Sequence, residues 1–444
     1  MIPETIKRHI RLLRNRLLKC LTRIWLPGFR RVYCADPNIA FLGLDVQGLQ
    51  MAALLRGIQV IWFDRKERKQ RAICDEESLA GESITENAEL HRLIEYSVAV
   101  DAEVQLSELD QVIAAGRGNC EEYAAHAKQS LQLIRRDLRR FRPHMILLAQ
   151  GHGVEAVVAR RCAVEFGLSL LAFENTALKD RIVWEPISGV TVNRNIARSM
   201  FWRYMDAVSP PVIKDFCDGI IASTKQNKQE EHASPEAEWK PDSDRPVVLY
   251  LGQVYTDSSL LYGCYPDLAP EQVVQSLYNW CETNGAQLVL KLHPKEATGA
   301  APVTLRPYNK LTMRKLQAMF EGSDALDQSW VTIDSENQWD TYRLIEAADV
   351  VVTINSQAGL EAAIRGKNVV TSGRCFYAGL DFTTDVTSSA GMADAVSKCI
   401  ESGYSKERHA LAQKFFYVFF EKYCIKKQNR QLIELFRKVM AFRV

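Results

Sequence analysis

The sequence predicts an α/β fold of two Rossmann-like domains, on three observations. Short apolar strands alternate with amphipathic helices up to about Ile221. A polar stretch over 225–245, with Pro235 and Pro241 in it and Pro246 just beyond, interrupts that alternation. A second strand–helix series then starts at Val247. Such alternation packs helices on both faces of a parallel sheet. A proline-bearing polar run is where a chain passes from one domain to the next.

The 444 residues suit two or three domains. Residues 1–31 carry Lys7, Arg8, Arg11, Arg14, Arg16, Lys19, Arg23, Arg30 and Arg31, interleaved with Ile6, Ile10, Leu13, Leu17, Leu21 and Ile24. That spacing is near 3.6 and predicts a basic amphipathic helix. Such a helix either lies on anionic lipid or is structural. The first domain, 32–224, is expected to begin with a strand at Asn38–Leu44, a helix at Gln47–Arg56 and a strand at Ile58–Phe63. Residues 75–142 read as largely helical, Met145–Ala149 as a strand, Val154–Phe166 as a helix, and Ser169–Phe173 as a strand running into Glu174. The second domain, 246–404, has apolar runs at Val247–Leu251, Ala286–Leu290, Trp330–Ile333, Val350–Ile354 and Asn368–Thr371. Residues 405–444 read as helices that return to the first domain. Two such domains joined by one linker make a GT-B-like architecture, with the active site in a central cleft. Near the end, Phe415, Phe416, Phe419, Phe420 and Tyr423 recur with Lys414, Lys422, Lys426 and Lys427. That is either a core-facing stripe with a basic solvated face or a membrane contact.

A hydrophobic content of 47% and a charged content of 25% are ordinary for a globular protein. A net charge of +2 gives no general attraction to nucleic acid. Eleven cysteines with no Cys-x-x-Cys pair predict free thiols in a reducing compartment. No apolar run reaches the ~20 residues of a membrane span. The expected location is cytoplasmic, with membrane contact peripheral at most.

In open α/β sheets ligands bind beyond the carboxyl ends of strands, so the strand-end loops carry the chemistry. His293-Pro294 follows one strand, and Asn355-Ser356-Gln357 follows another and runs into a helix. An imidazole and the first N–H groups of a helix suit a nucleotide phosphate. His293 also has a plainer role, as a capped strand end, and Glu361 as a first-turn acid that favours the helix dipole. Asp257, in Gly252-Gln-Val-Tyr-Thr-Asp-Ser-Ser259, is either a functional carboxylate or an N-cap. Glu174 is either a proton-transfer group or a salt-bridge partner. His152, between Gly151 and Gly153, either reaches a cleft or is a satisfied turn histidine. No His/Cys/Asp cluster has metal-ligand spacing, and no Asp-x-Asp sits at a strand end.

Three motifs taken together resemble the capsule polysaccharide biosynthesis family. They are Gly-Gln-Val-x-x-Asp-x-Ser at Gly252–Ser259, Lys-x-His-Pro at Lys291–Pro294, and Ser-x-x-Gly-x-Glu-Ala-x-x-x-Gly-Lys-x-Val-x-x-x-Gly-Arg-x-Phe-Tyr-Ala-Gly at Ser356–Gly379. Within that family the likeness is to bacterial retaining β-Kdo transferases, where Kdo is an eight-carbon acidic 2-keto sugar. The resemblance covers about residues 145–385. It implies CMP-Kdo as donor substrate, no further cofactor and no metal, and a saccharide or lipid-linked acceptor in surface polysaccharide synthesis. It implies Asp257 as nucleophile, held ionised by Gln253 or Ser259, with His293 hydrogen-bonded to the leaving phosphate and Pro294 fixing that turn. Glu174 is the implied acid or base, although Asn175 stands where the family usually has glycine. Ser356 and Gln357 would bind phosphate or the Kdo carboxylate, Glu361 the ribose hydroxyls, Arg374 the Kdo carboxylate, and Lys291 would add positive field. The alternatives are an inverting CMP-sugar transferase of sialyltransferase type, or a non-catalytic capsule-assembly protein of the same fold.

Overall fold

The computed structural model describes residues 26, 28–35, 43–63, 87–149, 151–186, 194–231, 239–242, 244–298, 309–403 and 405–441. These form two compact units, each built on a six-stranded sheet. The fold is α/β, with two Rossmann-like units in one chain.

The first unit takes its described residues from Met1–Val98, Val112–Val190 and Cys424–Val444. Its strands are β1 (Arg30–Cys34), β2 (Ile58–Trp62), β3 (Met145–Ala149), β4 (Ser169–Asn175) and β5 (Arg181–Glu185). The sheet order is β2-β1-β3-β4-β5, closed at the far edge by a short strand at Ile425–Lys426. β1 to β4 run parallel, whereas β5 and the edge strand pair antiparallel. Strands buried on both faces are written as continuous apolar runs, and Met145-Ile-Leu-Leu-Ala149 is buried throughout. The helix Asn429–Ala441 lays Leu432, Ile433 and Phe436 against Val32, Val60, Met145 and Leu171.

The second unit comprises Ala99–Gln111 and Thr191–Tyr423. Its strands are β6 (Val247–Leu251), β7 (Gln287–Lys291), β8 (Val331–Asp334), β9 (Val350–Thr353), β10 (Asn368–Thr371) and β11 (Thr384–Asp385). All run parallel in the order β11-β10-β9-β6-β7-β8. Counted from β6, that is 3-2-1-4-5-6, the Rossmann order, whose ligand crevice lies where the order reverses. Here the reversal falls between β6 and β9. The helix Pro270–Asn284 opens on a proline and ends at Gly285 with φ 65°, the usual asymmetry of helix ends. It buries Val273, Val274 and Leu277 against Val248, Tyr250, Leu288 and Leu290.

Several sequence expectations need correction. The junction is not at 225–245, because helix Pro210–Glu231 runs into that stretch and belongs to the second unit. The chain passes between units near Val190 instead, as Phe201 and Cys217 from this helical region are fully buried. The block 405–444 also divides. Lys406–Tyr423 stays with the second unit, and only Cys424 onward joins the first. Arg30 and Arg31 do not end a helix but begin β1, whose Val32, Tyr33 and Cys34 are core residues. The rest of the basic stretch lies outside the described residues, as does most of the strand expected at Asn38–Leu44; Leu44 itself precedes a helix capped by Asp45. The late aromatic cluster is core. Phe415 meets Phe201 at 5.6 Å between ring centroids, and Phe419 meets Phe376 at 4.7 Å. Among the described residues no helix is long and apolar enough to cross a membrane.

Candidate functional site

The switch point of the second sheet gathers the loops after β6, β7 and β9. These three strands are adjacent and parallel, so their carboxyl ends share one edge. The loops are joined by side chains. Gln253 Nε2 donates to Ser259 Oγ at 2.7 Å, and its Oε1 accepts from the Asn355 N–H at 3.1 Å. Asn355 Nδ2 donates to the Ser259 carbonyl at 2.5 Å. The Thr353 hydroxyl donates to the Leu251 carbonyl at 2.9 Å and accepts from the Ser356 N–H at 3.3 Å. Gln253 is therefore a tie between the β6 and β9 loops, with both ends of its amide engaged inside the protein.

Asp257 is exposed and N-caps the short helix Ser258–Gly263, accepting from the Ser259 N–H at 2.8 Å. Of the two residues expected to hold its carboxylate, Ser259 does so through its backbone, while Gln253 bonds the Ser259 hydroxyl instead. His293 is half-buried, one residue before the helix Pro294–Thr298. Its Nδ1 accepts from the Lys295 N–H at 3.1 Å. An acceptor Nδ1 leaves the neutral ring's proton on Nε2.

Ser356 caps the helix Gln357–Ala363, accepting from the Ala358 N–H at 3.2 Å, and half-buried Gln357 is that helix's first residue. The Ser356 carbonyl accepts from the Tyr377 hydroxyl at 2.5 Å. Tyr377 is fully buried, and that burial holds its hydroxyl protonated well above the usual tyrosine range. The contact explains Gly359. A Cβ there would lie 2.3 Å from the Tyr377 hydroxyl and 2.8 Å from Thr353 Cγ2. Gly359→Ala is expected to cost about 1–3 kcal/mol by overpacking, read as a lower urea midpoint. An unchanged midpoint would mean that Tyr377 yields freely.

Lys291 departs most from the sequence reading. It is the last residue of β7 and pairs in register with Asp334 of β8. Its ammonium donates to Asp334 Oδ2 at 2.5 Å, Asn337 Oδ1 at 2.7 Å and the Trp339 carbonyl at 2.9 Å. An ammonium has three protons, so none remains for a phosphate. Glu361 is buried and accepts from the Tyr342 hydroxyl at 3.2 Å. The exposed Arg374 donates its backbone N–H to the Gly263 carbonyl at 2.8 Å, with its guanidinium 5.6 Å from the Tyr265 ring centroid. Neither side chain is tied to the Gln253–Ser259–Asn355 bridge.

In the first unit the loop after β3 and the end of β4 bring the other two candidates together. His152 Nε2 and Glu174 Oε1 are 3.8 Å apart, both residues are buried, and the Tyr96 ring lies 5.7 Å from the imidazole. Glu174 is paired across to Val183 of β5, so its backbone lies within the sheet and not in a loop.

Sequence reasoning gave no role to Asn355 or Glu296. Glu296 is 2% exposed, and its carboxylate accepts from the N–H groups of Tyr255 and Thr312 and from the Thr312 hydroxyl, at 2.8–2.9 Å. Burial pushes its carboxyl up, against those hydrogen bonds. Its place two residues after His293-Pro294 was the available signal, but its three donors come from 16 or more residues away. Among the described residues no group of three or more His, Cys, Asp or Glu could hold a metal ion.

Residues 203–398 match the family described as capsule polysaccharide biosynthesis protein, so the likeness carried by the motifs of the second unit is borne out over that span. The lipopolysaccharide-processing protein LpsZ of Rhizobium meliloti is 30% identical over 145 residues, covering 33% of this chain and 28% of LpsZ. The capsule polysaccharide modification protein LipA of Neisseria meningitidis serogroup B is 25% identical over 262 residues, covering 54% of this chain and 32% of LipA. The chain thus spans less than a third of the length of these curated relatives. Among solved structures, the β-Kdo 2,4 transferase KpsC of Thermosulfurimonas dismutans aligns with a TM-score of 0.41 and 19% identity, over 61% of this chain and 79% of that one. A UDP-GlcNAc 2-epimerase from Neisseria meningitidis aligns with a TM-score of 0.37 and 10% identity, over 92% and 99%.

Proposed function

We propose that this chain is a glycosyltransferase of bacterial surface polysaccharide synthesis, moving Kdo from CMP-Kdo to a saccharide or glycolipid acceptor with retention of configuration. One observation carries the reading. Asp257, His293 and Ser356, each singled out by the family's motifs, hang from the carboxyl ends of three adjacent parallel strands at the switch point of a Rossmann-ordered sheet.

In this reading CMP leaves as a phosphate monoester, and negative charge grows on its oxygen as the glycosidic bond breaks. The Nε2 proton of His293 serves that oxygen, since a donor aimed at developing charge lowers the barrier. Asp257 attacks the anomeric carbon from the opposite face and forms a glycosyl ester. The acceptor hydroxyl then displaces the carboxylate, and two inversions give net retention. The Glu174–His152 pair is the group in the first unit suited to proton transfer with a hydroxyl.

His293→Ala is expected to lower kcat about 100-fold or more through loss of that donor. The assay is release of CMP from CMP-Kdo with a saccharide acceptor, with binding of CMP followed by thermal shift. Near-normal turnover would remove His293 from the chemistry. No CMP release by the unaltered chain would remove the donor assignment itself.

A second reading is favoured by the cap that Asp257 forms with the Ser259 N–H. If capping is its whole task, the enzyme inverts, with the acceptor hydroxyl attacking directly. The anomeric configuration of the product separates the two.

A further inference from the structure

The segment Ala99–Gln111 lies far upstream of β6 in the chain, yet it belongs to the second unit. Its point of attachment is Tyr255, two residues before Asp257. Gln105 is 4% exposed and its Nε2 donates to the Tyr255 carbonyl at 2.9 Å. From the other side, Glu296 accepts from the Tyr255 N–H at 2.8 Å. The tyrosine ring is fully buried, its hydroxyl donates to Glu271 Oε1 at 3.0 Å, and Lys315 Nζ lies 5.2 Å from the ring centroid. The N–H, carbonyl and hydroxyl of Tyr255 are thus each engaged, by three different parts of the unit. The Asp257 N–H closes the turn back onto the Val254 carbonyl at 2.9 Å. A second tie holds the same segment: both oxygens of Glu103 accept from Arg314 at 3.0 Å. Arg314 lies on the helix Leu311–Met319, whose Thr312 also donates to Glu296.

We propose that Gln105 is a positioning residue that fixes the Asp257 loop through the Tyr255 carbonyl. Asp257 itself is exposed at the N-cap of a helix of 6 residues, too short to hold a direction unaided. The peptide of Tyr255 is the fixed end from which that turn is built. Glu296 grips its N–H from within the strand-end loops, and Gln105 grips its carbonyl from a segment that none of the family's motifs includes. Without the amide donor a buried carbonyl loses its partner, and the loop relaxes toward water. Displacing a reacting group by about 1 Å is enough to cost up to ~100-fold in rate. The mechanistic part rests on the role proposed above for Asp257; the structural part does not.

The test uses the full chain with Gln105→Met, which keeps the side chain's length, and Gln105→Leu; both remove the donor. Amide hydrogen exchange of a peptide spanning 252–259 is compared with the rest of the second unit, and kcat and KM for CMP-Kdo are measured in parallel. The expected result is exchange at least tenfold faster within 252–259 alone, with kcat lowered about tenfold or more and KM within twofold. Faster exchange throughout the second unit would overturn the proposal by making Gln105 a general stability residue. Unchanged exchange in both variants would overturn it by making the hydrogen bond idle. If the unaltered chain does not consume CMP-Kdo, the donor reading fails, and the exchange pattern alone still decides whether Gln105 holds the loop.

Discussion

Asp257→Asn is expected to bind CMP with undiminished affinity but to transfer Kdo at least about 1000-fold more slowly, a loss of roughly 4 kcal/mol of transition-state stabilisation. The substitution is chosen for what it preserves. Asparagine caps helices as well as aspartate does, so the bond from the Ser259 N–H and the helix Ser258–Gly263 should survive. What it removes is the anionic oxygen that attacks carbon. A residue that only capped would therefore give an almost unaltered enzyme. Intact-protein mass spectrometry after mixing with CMP-Kdo provides the direct reading, with Glu174→Gln used to slow the second displacement. Absence of any Kdo adduct, together with an inverted product, would leave Asp257 a cap and make the transferase inverting.

Lys291→Ala should be the most destabilising single change at this edge of the sheet. The Lys291 and Asp334 side chains are 3% and 0% exposed. Removing the cation strands a carboxylate in the interior, which costs about 3–5 kcal/mol. Asp334 would retain only its bonds from the Gln338 and Trp339 N–H groups. The loop from Ser335 to Asp340 would lose the tether at the Trp339 carbonyl as well. Urea unfolding measures the loss, and Lys291→Ala with Asp334→Asn should recover part of it, since an amide can be buried neutral. A stability change within about 0.5 kcal/mol, as surface substitutions give, would return Lys291 to the positive-field role that the resemblance implied.

The two cases show what could be read from the residues and what could not. Strand positions in the second unit were legible because runs such as Val247–Leu251 and Val350–Val352 are apolar and lead into polar loop residues. The strands β5 and β11 were not, because Arg181-Ile-Val-Trp-Glu185 and Thr384-Asp385 are mixed in character and are strands only by pairing with a neighbour. The site loops were legible from the order His-Pro, Asn-Ser and Asp-Ser at strand ends. The partners of each side chain were not. Lys291 is placed by a register one strand over, and Tyr255 by an amide 150 positions upstream. Unit boundaries failed for a related reason. A polar, proline-bearing run marks a surface stretch, but whether it separates two cores depends on where Phe201 and Cys217 pack, and that is a tertiary fact.

The first unit is begun first on the ribosome and completed last. Its sheet gains the edge strand Ile425–Lys426 on β5, and its core gains Leu432, Ile433 and Phe436, only from the segment after Cys424. Everything between Thr191 and Tyr423 has been synthesised by then. At ~5–20 residues per second, several seconds pass or more, during which β5 has an unpaired edge and β1 to β4 an open apolar face. Such an edge recruits other strands. The nascent chain therefore carries a window of vulnerability to misassembly that the folded protein does not show, and the window closes only when the segment after Cys424 has joined the first unit.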